Sequence, residues 1–306
     1  MALKIDGSYL EGGGQILRNS FAYSALLSKP VDIERIRYHR TPGGLRPQHA
    51  KGLELISKIS ANSKLTGAVF KSTEVQFEPG TITPGSYSAD PGTAGSTTLL
   101  LQVSLPCLLF PSWPGTSQLN LFGGTNASMA PPIDFVEHVL FPFLSRYFGI
   151  HPTLDIRRRG YFPRGGGEIF VTVPPVSSAI PAISLVDRGS VTRIKGKAYV
   201  AGVLPPRMNQ IASKAARDRL RAAGFNSSVV DIEEVQEPRD RAEGNGSGMF
   251  LWAETEGGCI LAGSSIGEKS KRPEVQGFSC TCRSVKPLNR LRMSERRSSE
   301  RRRPKC

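Results

Sequence analysis

The strongest constraint on the fold is a succession of apolar patterns that runs twice between residues 3 and 173. In the first pass Leu3 and Ile5 begin a strand and a glycine turn follows. Ile16, Leu17, Phe21, Ala25 and Leu26 then recur at helical spacing, predicting a helix near 13–28. Val31, Ile33 and Ile36 predict a second strand. Leu53, Ile56 and Ile59 behind Pro47 predict a helix near 47–60. Val69, and then Val75 with Phe77, predict two further strands. The second pass holds a strand near 81–88, an apolar helix from Thr97 to Phe110 interrupted by Pro106, and a strand at Leu119 and Leu121. A helix near 132–148 and strands at 150–158 and 167–173 complete it. Both passes read βαβαββ. In both, a Gly-Gly turn with a proline close behind leads into the second helix: Gly43-Gly44 with Pro47, and Gly123-Gly124 with Pro131. A repeat longer than a solenoid period predicts duplicated units, each a sheet with two helices over one face.

After Pro174-Pro175 the pattern changes. Val191 to Val203 alternates like a strand, and Met208 to Ala223 is basic and helical with Ile211, Ala215 and Leu220 on one side. Val229 to Val235 reads as a strand, and 249–253 with 259–262 as a hairpin around Gly257-Gly258. The predicted fold class is α+β: a large domain of βαβαββ repeats over 1–181 and a small inserted α/β domain over 182–268. From 269 to 306 no period is visible and disorder is expected, because a charged segment of low apolar content cannot offset the entropy of ordering.

The charge is concentrated in that tail. Residues 269–306 carry 13 basic and three acidic groups, which leaves 27 and 23 for the rest of the chain. A nucleic-acid groove must therefore be argued locally rather than from the total. No apolar run approaches the ~18 residues of a membrane span, and no signal-peptide h-region follows Met1. The five cysteines form no metal-type pair of pairs, and a reduced intracellular compartment is the simplest expectation.

Four stretches carry chemistry. Glu11-Gly12-Gly13-Gly14 opens a helix whose free N–H groups favour an anion, with Arg18 on the helix and Glu11 on the turn. A carboxylate beside a phosphate site suits a divalent cation and an Arg suits the phosphate; a plain turn with surface charges gives the same string. Arg37, Arg40, Arg46, Gln48 and His49 lie within thirteen positions at a loop feeding a helix start, which suits a phosphate monoester or an RNA end, or else a solvated basic turn. His49 also suits a neutral residue capping the helix turn. Gln102 stands among Leu99, Leu100, Leu101 and Val103, facing either a site or solvent. Gly123-Gly124-Thr125-Asn126 offers backbone and side-chain donors. Arg157 to Glu168 mixes cations, aromatics and glycines in a way that stacks bases and follows a phosphate backbone, and also suits a charged hairpin tip. The G-x-x-x-x-G-K-[ST], H-E-x-x-H and G-x-S-x-G signatures are absent, and Gly244 to Gly248 lacks the strand-to-helix setting of a dinucleotide loop.

Taken together, Glu11 to Arg18, Gly44 to His49, Thr93 to Ser96, Gly123 to Ala127 with Met129 to Pro131, and Arg159 to Glu168 closely resemble RNA 3′-terminal phosphate cyclase. The likeness continues through Ala201 to Pro205, Gln236 to Pro238 and Ala262 to Ser265, and covers roughly 3–268. The Gly-rich and RPQH motifs are those of the catalytic branch rather than of its ribosome-assembly relatives. The resemblance implies an ATP-dependent ligase-class reaction in RNA processing. A His attacks the α-phosphorus of ATP, AMP passes to an RNA 3′-phosphate, and the neighbouring 2′-hydroxyl attacks that phosphorus to give a 2′,3′-cyclic phosphate and AMP. It implies that Glu11 holds a divalent metal, Mg or Mn. Arg18, Arg37, Arg40 and Gln48 would bind phosphates or the RNA end, and Gln102 and Pro131 would line the ATP site. The expected partners are RNA 3′ ends and ATP, with no membrane. The nucleus (nucleoplasm) is the expected location, with the cytoplasm second. The family's adenylated His lies in a final repeat after the insert. The four His here are 39, 49, 138 and 151, so the chain is expected to lack the nucleophile and, without that repeat's packing, to be poorly stable. A non-catalytic RNA-end binder or assembly factor is the second reading, and a small-molecule transferase with the same αβ unit the third.

Overall fold

A computed structural model describes residues 1–268, 272–277 and 280. The described residues form a mixed α+β chain with several sheets, in two compact units. The first comprises 1–137, 141–182 and 240–244; the second comprises the remaining described residues.

The first unit opens with β1 (Leu3–Asp6), α1 (Gly14–Leu27), β2 (Val31–Glu34), α2 (Pro47–Ile59), β3 (Ser60–Ala61), β4 (Lys64–Thr66), β5 (Val75–Glu78) and β6 (Thr81–Ile82). The sheet order is β1-β2-β5-β4. β1 and β2 are parallel, whereas β5 is antiparallel to both β2 and β4. Val31, Ile33, Val75 and Phe77 are buried while Glu34, Gln76 and Glu78 point out, so the sheet has one covered face. α1 buries Leu17, Phe21 and Ala25 and α2 buries Leu53, Ile56 and Ile59, with Phe21 stacked on Phe77 at 4.8 Å. The strand expected at Val69 is not there. Val69 is exposed in a bend, and the pairing strand is Lys64–Thr66, whose partners at 76–78 lie across a turn. β3 pairs with β6 as a separate two-stranded ribbon.

Next come β7 (Ser86–Ala89), α3 (Thr97–Leu109), β8 (Ser117–Gly123), α4 (Ile133–Phe135), a π turn (Val136–Leu140), α5 (Phe141–Phe148), β9 (Thr153–Gly160) and β10 (Gly167–Val173). β7 is parallel to β8, β8 antiparallel to β10, and β10 antiparallel to β9. α3 is buried along nearly all its length, because α1, α2, β8 and β10 all pack on it. Such a helix is apolar all round, and Gln102 is its exposed exception.

The second unit holds β11 (Val191–Ala201), α6 (Arg207–Ala222) and β12 (Val230–Gln236). β13 (Ala242–Glu243), grouped with the first unit, pairs with β9. β14 (Gly246–Thr255) and β15 (Ile260–Ile266) then complete a sheet of order β12-β11-β14-β15. The buried face of α6 is Ala212, Ala216 and Leu220, packed on Ile194, Ile232, Met249 and Leu251. The face expected through Ile211 and Ala215 is thus off by one residue. Residues 273–277 are helical rather than structureless. Gln276 is buried with its amide donating to Ser247 Oγ at 3.2 Å, and Cys280 joins the same core. The other residues of the expected tail, 269–271, 278–279 and 281–306, lie outside the described residues.

Candidate anion site at three helix starts

The site in the first unit is organised by α1, α2 and α3. α1 begins at Gly14 behind Gly13, with no side chain capping its first turn, so its leading N–H groups and positive dipole end are open to a ligand. A glycine is required at 14: a Cβ there would lie 2.4 Å from His49 Nε2 and 3.0 Å from an Arg18 terminal nitrogen. The start of α1 therefore touches both side chains.

The arginine loop is pinned from behind. Ile36 is buried, its N–H donates to Thr73 O, and its carbonyl accepts from Gly44 N. Leu45 N donates to Ser72 O, and Lys71 N donates back to Leu45 O. Gly44, at φ +70, passes so close to Lys71 that a Cβ would sit 2.3 Å from its carbonyl oxygen. These bonds fix Arg37, Arg40 and Arg46 around the start of α2. Arg40 Nε donates to Glu11 O at 3.2 Å, and its guanidinium lies 3.6 Å from the Glu11 carboxylate. Arg37 Nε is a buried donor with no acceptor among the described residues. Burial, then the charges of Arg46 and Arg40, lower the pKa of the Arg37 guanidinium. A group with an unused donor and two cationic neighbours is prepared for an anion.

His49 is 8% exposed. Its Nδ1 accepts from Arg46 N at 3.2 Å, which leaves Nε2 to carry the proton of the neutral ring, facing Gly14. Burial first, then the charges of Arg37, Arg18 and Arg46, push its pKa down to about 4. At neutral pH His49 is a neutral donor beside cations. Burial also lowers the pKa of Arg18. A small cavity between the helices is lined by Arg18, Gln48 and His49 and by Leu17, Leu99 and Val103.

α3 ties the remaining candidates together. Arg18 Nε donates to Gln102 Oε1 at 2.8 Å. Ser96, the N-cap of α3, donates its N–H to Gln48 Oε1 at 3.1 Å. Ser96 Oγ is 2.6 Å from Thr98 Oγ1, which donates to Pro131 O at 2.7 Å. Arg18, Gln48, Gln102 and Pro131 are thus joined through one helix, and Glu11 meets them through Arg40 and the start of α1. Ser96 closes the Thr93 to Ser96 motif noted in the sequence; Thr98 is the residue that sequence reasoning missed, since it carries no signal beyond a hydroxyl in the first turn of an apolar helix.

Two other stretches do not offer what the sequence suggested. Thr125 and Asn126 are buried and bond inward, Thr125 Oγ1 donating to Asn126 Oδ1 at 2.8 Å and Asn126 Nδ2 to Asp134 Oδ2 at 3.2 Å. The Gly124 N–H is taken by Gly95 O. Arg159 is also buried, in a two-pronged pair with Asp134 at 2.9 Å on each side. Arg157 pairs with Asp155 and Glu168, and Arg164 with Glu243. Most cations of this segment are neutralised within the fold; Arg158 is exposed, with no partner among the described residues. Glu11 is a single carboxylate, 72% exposed, with Arg40 as its nearest cation.

Comparison with known proteins finds one family. Residues 9–275 match the family described as RNA 3′-terminal phosphate cyclase. The RNA 3′-terminal phosphate cyclase of Pyrobaculum aerophilum is 40% identical over 277 residues, 90% of this chain and 76% of that protein. That of Ignicoccus hospitalis is 37% identical over 298 residues, 97% of this chain and 82% of its own length. The Drosophila melanogaster protein of the same description is 37% identical over 280 residues, 92% of this chain and 76% of its own.

Proposed function

The chain belongs to the RNA 3′-terminal phosphate cyclase family, and on that premise we propose that its first unit grips the phosphorylated 3′ end of an RNA strand beside ATP. The family's reaction is the ATP-dependent conversion of a 3′-phosphate to a 2′,3′-cyclic phosphate. One observation carries the reading: the 2.8 Å bond between Arg18 and Gln102. It joins the side chain assigned to the RNA phosphate to the one assigned to the nucleotide. Transfer of AMP to a phosphate needs the two reactants side by side, and positioning supplies much of the rate. Arg18, Arg37, Arg40, Gln48 and the His49 Nε2–H are the donors for the phosphate oxygens, and Gln102 and Pro131 border the nucleotide.

Glu11 fits a divalent cation of the magnesium kind, which takes one or two carboxylates and completes its shell with phosphates and water. When bound, such a cation neutralises charge on the nucleotide phosphates. Arg40 shares the same carboxylate, so cation binding competes with that pair. We infer in addition that the β1-β2-β5-β4 and β7-β8-β10-β9 arrangements are copies of one βαβαββ unit. Each places a parallel pair of strands beside an antiparallel pair in the same order, which supports this. The 182–268 stretch is then a small insert, as the sequence pattern suggests.

None of the four histidines in these 306 residues follows residue 151, and the resemblance places the adenylated His near the family's C-terminal end. The proposal is therefore that this chain binds both substrates and does not form the enzyme–AMP adduct. Incubation with α-labelled ATP tests it. Retained 3′-phosphate RNA binding without a labelled protein band is expected. A covalent adduct on this chain would show the nucleophile to be present. RNA binding indifferent to the 3′-phosphate would favour the assembly-factor reading instead.

A further inference from the structure

Tyr38 and His39 sit inside the arginine loop, and the phosphate chemistry leaves them unused. Tyr38 is 68% exposed, and His39 is exposed with its ring edge-on to Tyr38 at 5.3 Å and 85°. The loop holds them out by construction. Arg35 and Arg37 both have positive φ, at 52° and 54°, a conformation that side chains rarely adopt. Between them Ile36 is buried and bonded through both its N–H and its carbonyl. Tyr38 N donates to Arg35 O at 3.3 Å and Arg40 N to Arg37 O at 2.9 Å, closing two tight turns. Ile36 anchors the loop inward while Tyr38 is turned into solvent, with Arg37 on one side and His39 and Arg40 on the other.

An exposed ring flanked by guanidiniums, one of which has an unused buried donor, is the arrangement that holds single-stranded nucleic acid: cations track the backbone and the ring stacks a base. We propose that Tyr38, with His39 at its edge, is the stacking platform for the base of the 3′-terminal nucleotide. This inference rests on the phosphate reading above. The platform sets a requirement for a base on the reacting end, so a terminal phosphate lacking a base is a poorer ligand than one that carries it.

The test uses the full chain and a 5′-fluorescein single-stranded RNA in three forms: a 3′-phosphate on a natural nucleotide, a 3′-phosphate on an abasic residue, and a 3′-hydroxyl. Anisotropy titrations are made on the wild type, Tyr38→Ala and Tyr38→Trp, with melting curves as a check on folding. The wild type is expected to prefer the base-bearing phosphate end over the abasic one by about tenfold. Tyr38→Ala loses that preference and still discriminates phosphate from hydroxyl, while Tyr38→Trp keeps both. Phosphate discrimination with no base preference, or with a preference that survives Tyr38→Ala, overturns the stacking inference alone. Equal binding of phosphate and hydroxyl ends overturns the phosphate reading and the platform with it.

Discussion

Arg18 and Gln102, separated by 84 positions in the chain, share a 2.8 Å hydrogen bond from Nε to Oε1. The bond uses the one exposed polar side chain of the central stretch of an otherwise buried helix to fix the orientation of a guanidinium on a neighbouring helix. Gln102→Leu removes the acceptor and leaves the packing of α3 intact. The expected outcome is 3′-phosphate RNA binding weakened by about tenfold, the scale of one lost charge-assisted hydrogen bond, with an unchanged melting temperature. Equilibrium binding and calorimetry on the same preparation check both halves.

Gly14→Ala is a second probe of the same corner. At most helix positions alanine is the better residue by roughly 0.5–1 kcal/mol. Here the added Cβ meets the His49 ring, which is buried and held by Arg46 N. The sign should reverse, with a loss of about 1–3 kcal/mol from overpacking and loss of phosphate binding. Urea unfolding measures the first and RNA titration the second.

His49 makes stability depend on pH in a defined window. Its folded pKa is about 4, below the ordinary value of 6.5. Between those values the unfolded chain binds a proton that the folded chain does not, so stability is full above pH 6.5 and falls as pH drops toward 4. The loss from this group approaches about 3 kcal/mol at the bottom of the window. Urea unfolding at stepped pH should show that slope in the wild type and a shallower one in His49→Asn.

Arg159 is expected to behave as a structural residue. Arg159→Leu leaves the Asp134 carboxylate buried without its paired cation, at a cost of about 3–5 kcal/mol. Its exposed neighbour gives the contrast, with Arg158→Leu changing stability by about 0.5 kcal/mol or less. Denaturant midpoints of the two variants decide between a buried pair and an RNA-facing cation.

Much of the first unit was legible because its helices obey simple spacing. Leu53, Ile56 and Ile59 set α2 nearly to the residue, and the strand expected at 167–173 has the bounds of β10. Gln102 was legible as an oddity in an apolar helix, and the structure gives it a partner. Val69 misled because one β-branched residue says nothing of pairing, while Leu65 pairs by register with Phe77. The face of α6 slipped by one residue because alanines at 212, 215 and 216 look alike until a sheet selects among them. Arg159 reads as a surface cation in the sequence because its partner, Asp134, is 25 positions away. The helical residues 273–277 have no apolar period of their own, and the contact visible in the structure is that of buried Gln276 with Ser247.

In the function proposed above, Arg18, Arg37, Arg40, Gln48 and His49 together take a terminal phosphate. The most direct measurement is the affinity of the chain for one RNA ending in 3′-phosphate against the same RNA ending in 3′-hydroxyl, in wild type, Arg18→Ala and Arg158→Ala. A preference of about tenfold or more for the phosphate end is expected, abolished by Arg18→Ala and kept by Arg158→Ala. Equal affinity for both ends in the wild type, or a preference that survives Arg18→Ala undiminished, would contradict it.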